Sequence, residues 1–182
     1  DETFLGVMQR YKVGAVFVLV QPAVEKDAGI GGFHYAIESI GGECVFASEW
    51  DKNARITYEA NFKERSPWLF QTDEDGNMPY FNGDINDADP NQIPDFDVLC
   101  GGFPCQAFSI AGYRKGFEDT RGTLFFDVAR IIKEKRPKMF LLENVKGLLN
   151  HKSGKTFETI INVLRDELNY DVNYAVLNAK YF

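Results

Sequence analysis

Apolar and polar positions along this chain switch repeatedly between two periods. Short runs rich in β-branched and aromatic residues, at 15–20, 43–48, 97–100, 138–142 and 171–177, predict strands. Between them, residues 32–40, 52–61, 124–134 and 155–168 read as helices. In the last of these, Phe157, Ile160, Ile161, Leu164 and Leu168 recur at three- and four-residue spacing, which marks one buried face. Strands that alternate with helices of this length predict an α/β fold built on a mostly parallel sheet.

Two stretches break the alternation. Residues 64–94 are rich in Pro, Asp, Asn and Gly and read as a long connection. Residues 101–122 have no strong period and are too long for an ordinary βα loop, so they are functional or mobile. Ligands of open α/β sheets bind outside the carboxyl ends of the strands. Both stretches border that crevice. No repeat, low-complexity tract or interdomain linker is visible, so residues 1–182 read as one domain or part of one.

Composition narrows the class. With 182 residues and 45% hydrophobic content, the chain has enough for one core of ordinary size. No apolar run reaches the roughly 18 residues that span a bilayer. The best segment, 13–20, reads as a strand. The first residue is Asp1, which suggests a start that is trimmed or incompletely represented. Three cysteines, an odd number, suggest a reduced intracellular setting rather than a disulfide framework. His34 and His151 stand at no metal-ligand spacing to a cysteine, so no metal is expected. A net charge of −7 argues against a free-standing nucleic-acid-binding module, which needs clustered Lys and Arg.

Five short constellations carry chemistry. Ala28-Gly29-Ile30-Gly31-Gly32-Phe33 lies between a strand and a helix, where glycines permit close backbone approach to a ligand or simply make a tight turn. Glu49 and Trp50 end the second strand. An acid there commonly accepts from a ribose, and the indole beside it is suited to stack on adenine; the alternative is a helix-capping cluster with a core tryptophan. Gly83-Asp84-Ile85 is by itself only a turn with one acid. Gly101-Gly102-Phe103-Pro104-Cys105-Gln106-Ala107-Phe108-Ser109 follows the third predicted strand. Buried, inert thiols are the rule, and Cys44 and Cys100 fit it inside strands. Cys105 sits instead on a turn shaped by Gly and Pro, where Pro104 fixes its own φ and biases Phe103 toward extended backbone. Finally, the apolar run Phe140-Leu141-Leu142 ends in Glu143, Asn144 and Val145. Glu143 therefore arrives at the same edge as Cys105, in a place where burial raises a carboxyl pKa.

Taken in order, these motifs resemble the cytosine-C5 DNA methyltransferase family of bacterial restriction-modification systems. The resemblance covers roughly residues 27–182 and includes Gly122-Thr123-Leu124-Phe125 at the head of a helix. It implies a Rossmann-like class I methyltransferase fold, with helices on both faces of the sheet, that binds S-adenosylmethionine. Gly29 and Gly31 would hold the methionine end and Glu49 the ribose. Trp50 and Ile85 would sandwich the adenine, with Asp84 on its amino group and Pro104 and Leu124 completing the cofactor site. Cys105 would attack C6 of a flipped-out cytosine. Glu143 would bond N3 and the exocyclic amine, and Asn144 would brace the site. The segment 101–122, with Gln106, Ser109, Arg114, Lys115 and Arg121, resembles the loop that closes over DNA.

The chain departs from the family pattern twice. Where the family runs aromatic-apolar-Asp-Leu-Phe into Ala-Gly, this chain has Gln21-Pro22-Ala23-Val24-Glu25-Lys26-Asp27 before Ala28. Where the family continues into a Gln-x-Arg-x-Arg motif and a target-recognition domain, this sequence stops at Phe182. The expectation is a cytoplasmic bacterial catalytic part, C-terminally truncated, that acts on duplex DNA with a C-terminal half or second subunit, without membrane or metal. Rival readings are a tRNA-directed member of the family, a catalytically silent binding or assembly protein, and a thiol oxidoreductase, for which no C-x-x-C exists.

Overall fold

The computed structural model describes residues 30–104, 124–178 and 180, with the backbone alone of 15–19. Five strands form one sheet: β1 (Ala15–Leu19), β2 (Glu43–Ser48), β3 (Phe81–Asn82), β4 (Val98–Gly102) and β5 (Met139–Glu143). Their order across the sheet is β3-β2-β1-β4-β5, and every pairing is parallel. The chain runs from the centre to one edge, then returns to build the other side. That reversal, between β1 and β4, opens a crevice at the carboxyl edge. Leu19 lies opposite Ser48 on one side and Gly101 on the other, so the three central strands end level.

Among the described residues, α1 (Gly32–Ser39), α2 (Lys52–Phe62) and α3 (Leu124–Lys135) lie between strands, and α4 (Lys155–Asn162) follows β5. The last runs on as a π-helical turn over Val163–Glu167. Asp51 starts α2 by accepting from the Ala54 N–H at 2.7 Å. By contrast, α1 begins at Gly31 without a side-chain cap and with φ of 101°.

The period-two pattern of the strands feeds two cores, one on each face. On one, Ile37, Tyr58 and Phe62 of α1 and α2 pack with Cys44, Ala47, Val98 and Cys100. On the other, α3 and α4 contribute Phe125, Ile131, Ile132, Ile160 and Leu164 against Phe46 and Leu99. Phe157 and Ile161 pack at that core's margin, which completes the face expected of residues 155–168. Cys44 and Cys100 are fully buried, as their strand positions imply, and burial pushes the Cys100 thiol up to about 12.

Two expectations need correction. Residues 64–94 are not a bare connection: they hold 3₁₀ turns at Pro67–Phe70 and Ile85–Asp87 and the strand β3. A two-residue strand is too short to register in any periodic pattern. Residues 171–178 are not a strand. A strand exists through its ladder, and no described residue pairs with this run; Tyr174, Val176 and Leu177 are exposed.

Candidate active site

The ends of β4 and β5 meet in register, with Gly102 opposite Glu143. A Cβ on Gly102 would stand 3.1 Å from Glu143 Oε2, so glycine leaves the space into which that carboxylate leans. Glu143 is exposed at the strand end, and partial desolvation there shifts its carboxyl above the ordinary range. Next to it, Asn144 donates through Nδ2 to the Phe103 carbonyl, which joins the two strand ends. Its other atom, Oδ1, is buried without a partner among the described residues. Pro104 is half-buried. Cys105, Gln106, Ser109, Arg114, Lys115 and Arg121 lie outside the described residues, as do Gly29 and the divergent stretch 21–27. Leu124 is buried at the head of α3.

A second group forms at the end of β2. Glu49 has no exposed surface. Its Oε1 accepts from the Asp51 N–H at 2.7 Å, while Oε2 is buried with no partner among the described residues. Burial pushes this carboxyl up to about 7, against the opposing pull of the Asp51 N–H. The Glu49 N–H bonds the Asn82 carbonyl at 3.1 Å, which sets Glu49 beside the turn after β3. In that turn Asp84 Oδ1 accepts from the Asn86 backbone N–H and side-chain amide at 3.0 and 2.7 Å. Ile85 is fully buried in the α3 core, whereas Trp50 is 67% exposed. A core role for Trp50 is therefore excluded, and its ring is open to a ligand.

Gly31, at the mouth of α1, packs against the end of α2. A Cβ there would lie 2.1 Å from the Phe62 ring. These features suit a nucleoside carrying a ribose. The orphaned Glu49 oxygen lacks a donor of the kind a ribose hydroxyl supplies, and an exposed indole adjoins it.

The sequence reading passed over two residues of α3. Asp127 is buried, and its Oδ2 has no partner among the described residues. Arg130 donates from Nη1 to Ala88 O and from Nη2 to Ile85 O, each at 3.1 Å. The available signal was an acid three residues after Leu124, on the apolar stripe of its helix. Among the described residues, no cluster of three or more His, Cys, Asp or Glu is placed to hold a metal ion. No helix among them is long and apolar enough to cross a membrane.

Fold and site together define an α/β protein whose parallel sheet carries the candidate site residues along its carboxyl edge. Residues 24–182 match the C-5 cytosine-specific DNA methylase family, and the chain belongs to it. It is 57% identical over 158 residues to the Type II methyltransferase M.HpaII of Haemophilus parainfluenzae, a match covering 85% of this chain and 40% of the relative. Identity to M.HhaI of Haemophilus parahaemolyticus is 50% over 152 residues, covering 84% and 42%. To M.SsoII of Shigella sonnei it is 53% over 156 residues, covering 85% and 37%. The chain thus spans about two-fifths of the length of these relatives.

Proposed function

We propose that this chain is the catalytic and cofactor-binding part of an enzyme that methylates C5 of cytosine in duplex DNA, within a bacterial restriction-modification system. The parallel sheet with a core on each face supports the narrower reading of a Rossmann-like class I methyltransferase fold, and the relatives' type suggests a cytoplasmic setting. The observation that carries the reading is the pairing of Gly102 with Glu143. It sets the segment leading to Cys105 beside the Glu143–Asn144 pair at one point of the edge.

S-adenosylmethionine, when bound, supplies an electrophilic methyl group. Glu49 would accept from its ribose through the unpartnered Oε2, Trp50 would stack on its adenine, and Asp84 would accept from the adenine amino group. Gly29 and Gly31 hold the methionine end, and Pro104 and Leu124 close the site. C5 of cytosine is a poor nucleophile in the aromatic ring. The Cys105 thiolate adds to C6, and the displaced electron pair makes C5 enamine-like. Glu143, its carboxyl held above the ordinary range by partial desolvation, bonds N3 and stabilises the protonated ring. Methyl transfer to C5 would release S-adenosylhomocysteine, and loss of the C5 proton to water would then expel the Cys105 thiolate and restore the ring. The target base must leave the duplex, at a cost of a few kcal/mol. Gln106, Ser109, Arg114, Lys115 and Arg121 belong to the loop that would meet that DNA, and a C-terminal half or second subunit would supply target recognition and further positive charge.

A duplex carrying 5-fluorocytosine at the target tests the nucleophile, because fluorine cannot leave C5 as the proton does. With S-adenosylmethionine present, the full-length protein should form a denaturation-resistant adduct, and Cys105→Ser should form none while binding cofactor normally. An adduct in the mutant, or one mapped to Cys44 or Cys100, would remove Cys105 from this role.

A further inference from the structure

The turn that carries Asp84 and Ile85 is weakly held by the sheet. β3 pairs with β2 at only two positions, Ala47 with Phe81 and Ser48 with Asn82. Beyond Asn82 the backbone leaves the ladder. There the Ser48 hydroxyl donates to the Gly83 carbonyl at 3.5 Å, and the turn beyond is held from far along the chain. The Arg130 guanidinium of α3 donates to the carbonyls of Ile85 and Ala88, which bracket the 3₁₀ turn Ile85–Asp87. A planar fork can satisfy two carbonyls at once, whereas an ammonium is a compact point charge.

Behind Arg130 stands Asp127, one turn back on the same helix, with Oδ1 at 3.8 Å from Arg130 Nε. Its carboxyl is buried at 8% exposure, and burial raises its pKa, with the charge of Asp84 adding to the effect. The charge of Asp84 therefore reaches the Asp127 carboxyl. Glu49, Asp127 and Asn144 each retain a buried oxygen without a described partner; Glu49 and Asn144 follow the ends of β2 and β5, and Asp127 lies in the first turn of α3. Two of these already belong to the proposed site. Asp127 is the third, and nothing in the methyl-transfer scheme uses it.

We propose that Arg130 and Asp127 are positioning residues for the adenine end of the cofactor site, acting through residues 84–88. The inference rests on the reading that Asp84 faces the adenine, with the fully buried Ile85 anchoring the turn from behind. Arg130 fixes where that turn sits relative to α3, and so fixes where the Asp84 carboxylate stands. Asp127 orients the guanidinium and balances its charge inside a half-buried setting.

The test is a pair of calorimetric titrations of the full-length protein, with S-adenosylhomocysteine and with S-inosylhomocysteine, which carries a carbonyl in place of the adenine amino group. The wild type should prefer the adenine ligand. Arg130→Met should weaken S-adenosylhomocysteine about tenfold or more, the scale of hydrogen bonds from a charged donor. It should weaken the inosine analogue much less, so that the preference collapses. Arg130→Lys should lose less, Asp127→Asn should fall between, and either carries the comparison if Arg130→Met does not fold. A purely structural role would lower the thermal midpoint and weaken both ligands alike; a preserved preference overturns the inference. Asp84→Ala separates the two failures. If it keeps the preference, or the wild type has none, the reading of Asp84 falls and the inference with it. If Asp84→Ala loses the preference and Arg130→Met keeps it, the inference alone falls.

Discussion

A carboxyl group without exposed surface and with one unpartnered oxygen must take a proton, take a ligand or destabilise the fold. Glu49 is such a group, and its pKa of about 7 against an ordinary 4.5 sets the sign of a pH effect. Between those values the folded chain holds the proton longer than the unfolded one. Stability therefore falls as pH rises from 4.5 through 7, and stays lower above. Glu49→Gln should raise the thermal midpoint by several degrees at pH 8 and hardly at all at pH 4.5, while weakening S-adenosylhomocysteine binding. Scanning calorimetry across that range checks it, and an equal gain at both ends would exclude charge burial as the cause. Glu143 calls for a different measurement, since its proposed work is on the ring in the transition state. Glu143→Gln should lower single-turnover methylation about 10²-fold with little change in cofactor affinity. A loss confined to cofactor affinity would take Glu143 out of the chemistry. Both acids were legible in the sequence because each ends an apolar strand. Asp127 was not, since one acid inside an amphipathic helix reads as solvated unless its place on the apolar stripe is weighed.

The elements were legible where their period had room to repeat. Three helices and the four longer strands lie within a residue or two of their expected positions, with Val20 outside the described residues, while the expected helix 155–168 is α-helical only to Asn162 and continues as a π-helical turn to Glu167. β3 has two residues, fewer than any repeat needs, and residues 171–177 carry strand composition without a partner among the described residues. Element junctions were equally hidden, and the contact of α1 with α2 is one. The Phe62 ring, at the end of α2, stacks on the buried His34 imidazole at 3.9 Å and fills the space above Gly31. His34 is fixed in turn by the Tyr58 hydroxyl at 2.8 Å. Gly31 carries φ of 101°, so a side chain there meets both backbone strain and the ring. Gly31→Ala should destabilise by about 2 kcal/mol or more, from roughly 1 for the left-handed backbone and 1–3 for overpacking. In a Phe62→Ala background the same substitution should cost only about 1 kcal/mol, because the strain remains and the clash is gone. Urea unfolding of the four proteins in the cycle measures that coupling, and simple additivity would show that the ring is not what excludes a side chain.

At the scale of the whole molecule, the alternation of strand and helix foretold a parallel α/β sheet, but not its order. That order depends on β1 pairing with both β2 and β4, contacts between segments far apart in sequence. The carboxyl edge it creates gathers Glu49, Asp84, Gly102, Glu143 and Asn144 from four strand ends. What the 182 residues do not gather is positive charge. Their net charge is −7, from 20 basic and 27 acidic side chains. Duplex binding draws its affinity from neutralised phosphates, and each basic contact adds to the salt dependence. The relatives, at 47 to 57% identity, are more than twice as long as the stretch this chain matches. Residues 1–182 alone should therefore fail to methylate duplex DNA, even at low ionic strength where electrostatic binding is strongest. Activity should appear when the remainder of the protein, or a second subunit equivalent to it, is supplied. Incubating the purified 182-residue chain with methyl-labelled S-adenosylmethionine and a cytosine-rich duplex at about 20 mM salt measures this directly. Label incorporated in proportion to DNA without a second polypeptide would mean that the acidic chain grips DNA unaided. In that case the basic residues of 105–123, not a further domain, would carry the contact.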